Sequence, residues 1–163
     1  MINTFELLPD TSRIWIYQGN RKFTNKEEAE ILEKTKRFVK DWNAHGNDLH
    51  SGAEILHHQF VILCVNENDN SASGCSIDKS VQFIRTLENN YGINFLDRSK
   101  IAYYKDEKIL ISSFKELKMK IDNGTITRDT LIFNNLVERK GDLEENWIIP
   151  ARDSWINKYF NAN

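Results

Sequence analysis

One run constrains this chain more than any other: Phe60-Val61-Ile62-Leu63-Cys64-Val65, its longest apolar stretch. Six residues are too few to cross a bilayer, which takes about 20. Neighbouring residues of a strand point to opposite sides, so a strand that is apolar at every position needs cover on both faces. The run is read as a central strand within Gln59 to Glu67. The rest of the 163 residues then has to supply a layer on each side. A chain of this length buries roughly 68–70% of its unfolded surface and needs neither disulfide nor metal to fold.

The neighbouring segments carry clear signals. Ser12 to Gln18 is rich in β-branched and aromatic residues and stops at Gly19-Asn20, as a strand does. Thr24-Asn25-Lys26-Glu27 is a capping box. Behind it Ile31, Leu32, Thr35, Phe38, Val39 and Trp42 recur at helical spacing, and His45-Gly46 lies past the end. Glu54 to His58 reads as extended. Asn66 to Ser73 is a polar loop. A second helix starts between Ser73 and Ile77, carries Ile77, Val81, Ile84, Leu87 and Tyr91 on one face, and is capped by Gly92. Lys100 to Lys105 reads as a strand, with Lys108 to Ile111 pairing across Asp106-Glu107.

The order strand, helix, strand, strand, helix, strand predicts an α+β fold with an antiparallel sheet and a ferredoxin-like βαββαβ core. The helices would cover one face and the C-terminal third the other. That third opens with Ser113-Phe114-Lys115-Glu116, a second capping-box pattern, followed by Phe114, Leu117 and Ile121. Asn123-Gly124 ends this helix. Thr130 to Phe133 and Trp147 to Pro150 read as extended, and Asp153 to Phe160 as a terminal helix. No repeat or linker divides the chain, so residues 1–163 are expected to form one domain.

Lysine and arginine total 22 against 24 acidic residues, a net charge of −2. The charges are interspersed, so no clustered basic footprint for nucleic acid appears. Met1 to Glu6 lacks the basic start and apolar stretch of a secretory leader. Two cysteines, Cys64 and Cys75, make no disulfide framework and read as free thiols of a reducing cytoplasm.

Ser71-Ala72-Ser73-Gly74-Cys75-Ser76-Ile77-Asp78-Lys79-Ser80 and Asp129-Thr130-Leu131-Ile132-Phe133-Asn134-Asn135-Leu136-Val137 carry a resemblance, as do Asn146-Trp147 and Ser154-Trp155. With these motifs the chain resembles, over nearly its whole length, a small bacterial family of uncharacterised proteins often labelled ABC transporter ATPases. The resemblance implies no established activity and assigns no site residue. The label can be tested on the residues. A phosphate-cradling P-loop needs G-x-x-x-x-G-K-[ST]. Here Gly74 is followed by Lys79-Ser80 with no second glycine and with the lysine one residue early. ATP hydrolysis of that type is not expected.

The Ser73-Gly74-Cys75-Ser76 turn is the leading candidate site. It precedes a helix, where amides favour an anion or a thiolate. Ser73, Gly74, Ser76 and Lys79 would bind the anion, and Cys75 would be the reactive thiol. The simpler reading is a helix cap, with Asp78 favourable to the dipole and adverse to an anion. C-x5-R fails, because Val81 stands where arginine would. His57 is the candidate base. His57-His58 lie between two strands, and neither these nor His45 and His50 show metal-ligand spacing, so no metal is expected. Cys64 reads as packing. Trp15, Trp42, Trp147, Trp155, Phe133 and Tyr159 fill a core or line a groove. Asn134-Asn135 make a turn or read a ligand.

These readings predict a cytoplasmic, non-enzymatic binding or interaction domain, with an unknown protein or small-molecule partner, no cofactor, no nucleic acid and no membrane insertion. The alternative is a small-molecule enzyme or anion-binding protein centred on Ser73 to Lys79, with Cys75 as the thiol.

Overall fold

The computed structural model describes residues 4–160. Met1 to Asn3, part of the segment read for a leader, lie outside the described residues. The chain groups into two compact units. One comprises residues 1–96 together with Glu138–Gly141, the other Asp97–Val137 and Asp142–Asn163.

The first unit opens with the short helix α1 (Thr4–Leu7), then β1 (Arg13–Gln18) and α2 (Asn25–Lys40). A two-residue ribbon follows, β2 (Asn43–Ala44) and β3 (Asn47–Asp48), turned by His45-Gly46, both at positive φ. Next come β4 (His50–Leu56), β5 (Phe60–Asn66) and α3 (Gly74–Tyr91). The sheet order is β1-β5-β4, with β5 antiparallel to both neighbours. β5 is the central strand expected. Phe60 to Val65 are fully buried, at about 1.5–3 kcal/mol for each large side chain. Val61, Leu63 and Val65 face a cluster with Ile31 and Val39 of α2 and Ile84 and Leu87 of α3.

The other face of this sheet receives α1, at β4. A Cβ on Gly52, which pairs with Cys64, would lie 2.8 Å from the backbone nitrogen of Phe5, so α1 packs directly on β4. The Glu138–Gly141 segment follows β1: Ile14 N donates to Glu138 O, and Lys140 N to Ser12 O, both at 2.9 Å. Lys140 Nζ then caps α1, donating to the carbonyls of Glu6 and Leu8.

Both helix starts follow the chemistry read from the sequence. Thr24 accepts from Glu27 N, and Glu27 accepts from Thr24 N at 2.8 Å. Gly92 closes α3 in the left-handed conformation, at φ 61°. α2 ends at Lys40, yet Trp42 remains in the apolar cluster at 2% exposure. β4 begins at His50, earlier than the extended segment expected from Glu54, because His50 to Ala53 pair in register with Asn66 to Leu63 of β5, and Gly52, which lies against α1, carries no β-forming side chain that would have marked the strand.

The second unit contains β6 (Lys100–Lys105), β7 (Lys108–Ser113), α4 (Phe114–Asp122), β8 (Leu131–Phe133), α5 (Asp142–Glu145) and β9 (Ile148–Pro150). Its sheet runs β7-β6-β8-β9, all antiparallel. Ile101, Tyr103, Leu117, Ile126, Ile132, Ala151 and Ile156 form its apolar cluster. Ser113 caps α4 through Glu116 N at 3.3 Å, while the Glu116 carboxylate pairs with Lys120. The terminal segment is two 3-10 turns, Ala151–Asp153 and Trp155–Tyr159, not the α-helix expected over Asp153 to Phe160. Ser154 accepts from Ile156 N and separates the two turns.

The chain therefore combines helices with antiparallel sheets, as an α+β fold does, and the ferredoxin-like strand order needs correction. The first three strands do form a split βαβ unit, with β5 between β1 and β4. The fourth, Lys100–Lys105, belongs to the second sheet. The reason lies in the partners available to each edge. β6 has a hairpin partner two residues away, whereas the edge of β1 that it would join is met at Arg13 and Ile14 by Glu138 to Lys140.

Candidate functional site

The Ser73 turn is closed by its own chemistry. Ser73 Oγ accepts from Ser76 N at 3.1 Å, and Ser76 Oγ accepts from Ser73 N at 2.7 Å while donating to Ser73 O. Ser76 is fully buried. The Ser76 hydroxyl is thus spent on the cap as both donor and acceptor, and Ser73 Oγ accepts within it. Gly74 faces open space and Cys75 is exposed. Lys79-Ser80 lies within α3 rather than in a phosphate-wrapping loop. Ser80 turns inward, donating to Ile77 O and meeting the Tyr17 hydroxyl at 3.2 Å.

Cys75 and His57 are not brought together. His57 and His58 form the turn before β5, with φ of 54° and 55°, whereas Cys75 starts the helix after β5. The seven residues of β5 set them about 20 Å apart. His57 is lowered in pKa, by partial burial first and by His58 second, and its ring stands edge-on to Phe60. His58 Nδ1 lies 2.6 Å from the Glu28 carboxylate. Cys64 is fully buried, and burial pushes its thiol up to about 11. Among the described residues, no three His, Cys, Asp or Glu side chains gather as metal ligands would.

Lys79 belongs to a different feature. α2 and α3 run antiparallel, because Trp42 Nε1 donates to Ser76 O at 2.8 Å at one end and Lys34 Nζ sits 4.9 Å from the Tyr91 ring at the other. Between them is a groove of about 460 Å³. Phe38, Trp42 and Phe83 form its floor, with the Phe38 and Phe83 rings stacked at 4.6 Å and 4°. Lys34, Arg37 and Lys79 stand on its rim against a single carboxylate, Asp41. Asn43 and Asn90 add amides. Arg37 is paired with Glu33, whereas no ion pair engages Lys79 among the described residues. Three cations over an aromatic floor can hold an anionic ligand by charge and its apolar part by contact.

Of the residues proposed from sequence, the groove contains Lys79 and Trp42 and excludes Ser73, Gly74, Cys75, Ser76 and His57. Sequence reasoning missed Lys34, Arg37 and Phe83. Lys34, Arg37 and Asp41 do share one face of α2, at spacings of three and four residues. That pattern alone does not say which helix it faces.

Of the remaining aromatic candidates, Phe133 and Trp147 are buried, Trp15 and Trp155 are half-buried and Tyr159 is exposed. Trp147 is buried and its Nε1 donates to Asn135 Oδ1 at 2.9 Å, while Asn134 N donates to Trp147 O. The Asn134-Asn135 amides thus bind the returning chain of their own unit. No helix among the described residues is long and apolar enough to cross a membrane. No protein-family model, curated protein or solved structure matches the chain.

Proposed function

We propose that the protein is a non-enzymatic binding domain, acting in a reducing cytoplasm, that takes its ligand in the groove between α2 and α3. One observation carries the reading. Three cations and three aromatic side chains converge on a single groove, while the two candidate catalytic groups, Cys75 and His57, stand at opposite ends of β5. A cavity of this volume falls in the range of ligand sites, about 300–1,000 Å³. The Ser73–Ser76 cap argues against the enzymatic alternative, since both the donor and the acceptor of the Ser76 hydroxyl and the acceptor of Ser73 are engaged within it.

Nuclear magnetic resonance shift mapping with benzoate, indole-3-acetate and phenyl phosphate tests the site. Saturable shifts are expected at Lys34, Phe38, Asn43, Lys79, Phe83 and Asn90. Lys79→Glu should weaken them. Shifts that cluster elsewhere, or no shift with any of these probes, would refute the reading.

A further inference from the structure

We propose that the occupant of the α2–α3 groove is an extended acidic peptide segment in which two carboxylates flank one apolar side chain. The inference rests on the binding reading above and adds the class of partner. It comes from the order of groups along the groove. The stacked Phe38 and Phe83 rings mark its middle. Lys34 precedes Phe38 by four residues of α2, and Lys79 precedes Phe83 by four residues of α3, each about 6 Å of helix rise. Because the helices are antiparallel, the two lysines lie on opposite sides of the ring pair. The sequence of surfaces is cation, aromatic platform, cation.

An extended chain matches that spacing. Its alternate residues lie about 6.6–6.8 Å apart on one face, so a segment Glu-x-Phe-x-Glu sets its ring on the platform and one carboxylate near each lysine. A single compact anion would meet one lysine and leave the other unused. Lys34, Arg37, Asp41, Lys79 and Asn90 are all exposed, so the groove is open along its length to a passing chain. Asp41 stands at the Lys79 end and opposes a dense polyanion there, which favours one carboxylate over several. Lys79 has no ion pair to give up among the described residues, and Lys34 can keep its place over Tyr91.

Fluorescence anisotropy with a labelled Ser-Glu-Ser-Phe-Ser-Glu-Ser peptide tests the proposal. Replacing both glutamates by glutamine should weaken binding about tenfold, since an exposed ion pair contributes at most about fivefold. Moving both glutamates to one side of the phenylalanine, at equal charge, should weaken it about threefold. The Lys34→Glu/Lys79→Glu double variant should reverse the preference, binding a Ser-Lys-Ser-Phe-Ser-Lys-Ser peptide more tightly than the acidic one. Both lysines are exposed, so the fold should survive. Equal affinity for the acidic and glutamine peptides, or for the flanking and one-sided arrangements, overturns the proposal. If the small aromatic acids shift the groove while the peptide does not bind, the occupant is a small molecule and only this proposal falls. If neither the acids nor the peptide binds, the binding reading falls with it.

Discussion

Replacing Trp42 by alanine removes the side chain on which the groove and the first unit's core both rest. Trp42 is 2% exposed. Its ring meets Trp15 edge-on at 5.6 Å and Phe38 at 5.3 Å, and its Nε1 donates to Ser76 O at 2.8 Å. Truncating a buried aromatic costs about 3–5 kcal/mol, and the hydrogen bond accounts for about 1 kcal/mol of net stability. Trp42→Ala should therefore cost about 4 kcal/mol, a large share of the 5–15 kcal/mol typical of a folded protein. Trp42→Phe keeps the ring contacts and loses the bond and some volume, so it should cost about 1–2 kcal/mol. Urea unfolding followed by circular dichroism gives both values. A Trp42→Ala protein within about 0.5 kcal/mol of wild type, as for a surface substitution, would show that Trp42 does not join α2 to α3. Equal costs for alanine and phenylalanine would show that the hydrogen bond, not ring packing, carries the residue.

Asp106 and Glu107 turn the β6–β7 hairpin at φ of 50° and 62°, which costs a residue with a side chain about 1–2 kcal/mol. Glu107→Gly should thus gain about 0.5–1 kcal/mol after the added freedom of the unfolded chain is subtracted, and a lowered melting temperature would contradict this. Cys75 is exposed, and Cys64 is buried with its thiol pushed up to about 11. Iodoacetamide at pH 8 should modify Cys75 alone until urea unfolds the chain, as read by mass spectrometry; matching rates would place Cys64 at the surface. Glu27 is lowered to about 2, first by its hydrogen bond from Arg21 and then by that from Thr24 N. With the folded value below the unfolded one, its contribution is present above about pH 4.5 and fades as pH falls toward 2. The melting-temperature gap between wild type and Glu27→Gln should narrow across that window, and a constant gap would mean that the carboxylate charge is not what stabilises the start of α2.

Local chemistry was legible in the sequence because it acts over a few residues. The Thr24–Glu27 box, the Ser73 cap, Gly92 and the Asp106-Glu107 turn all form from neighbours along the chain. The two-faced burial of Phe60 to Val65 was legible too, since a strand apolar on both sides has no stable exposed arrangement. Tertiary structure decided the rest. Nothing in Lys100 to Lys105 says whether it adds to β1 or founds a second sheet. That outcome depends on Glu138 to Lys140 returning to β1 across more than a hundred residues. The choice between ligand and structure for Ser73 and Ser76 likewise turned on where their hydroxyls point. The groove was hidden for the same reason. Lys34 and Lys79 are 45 positions apart, and only the antiparallel packing of α2 on α3 places them on either side of one pair of rings. Helical periodicity tells a residue which face it shares; it carries no information about the element that face will meet.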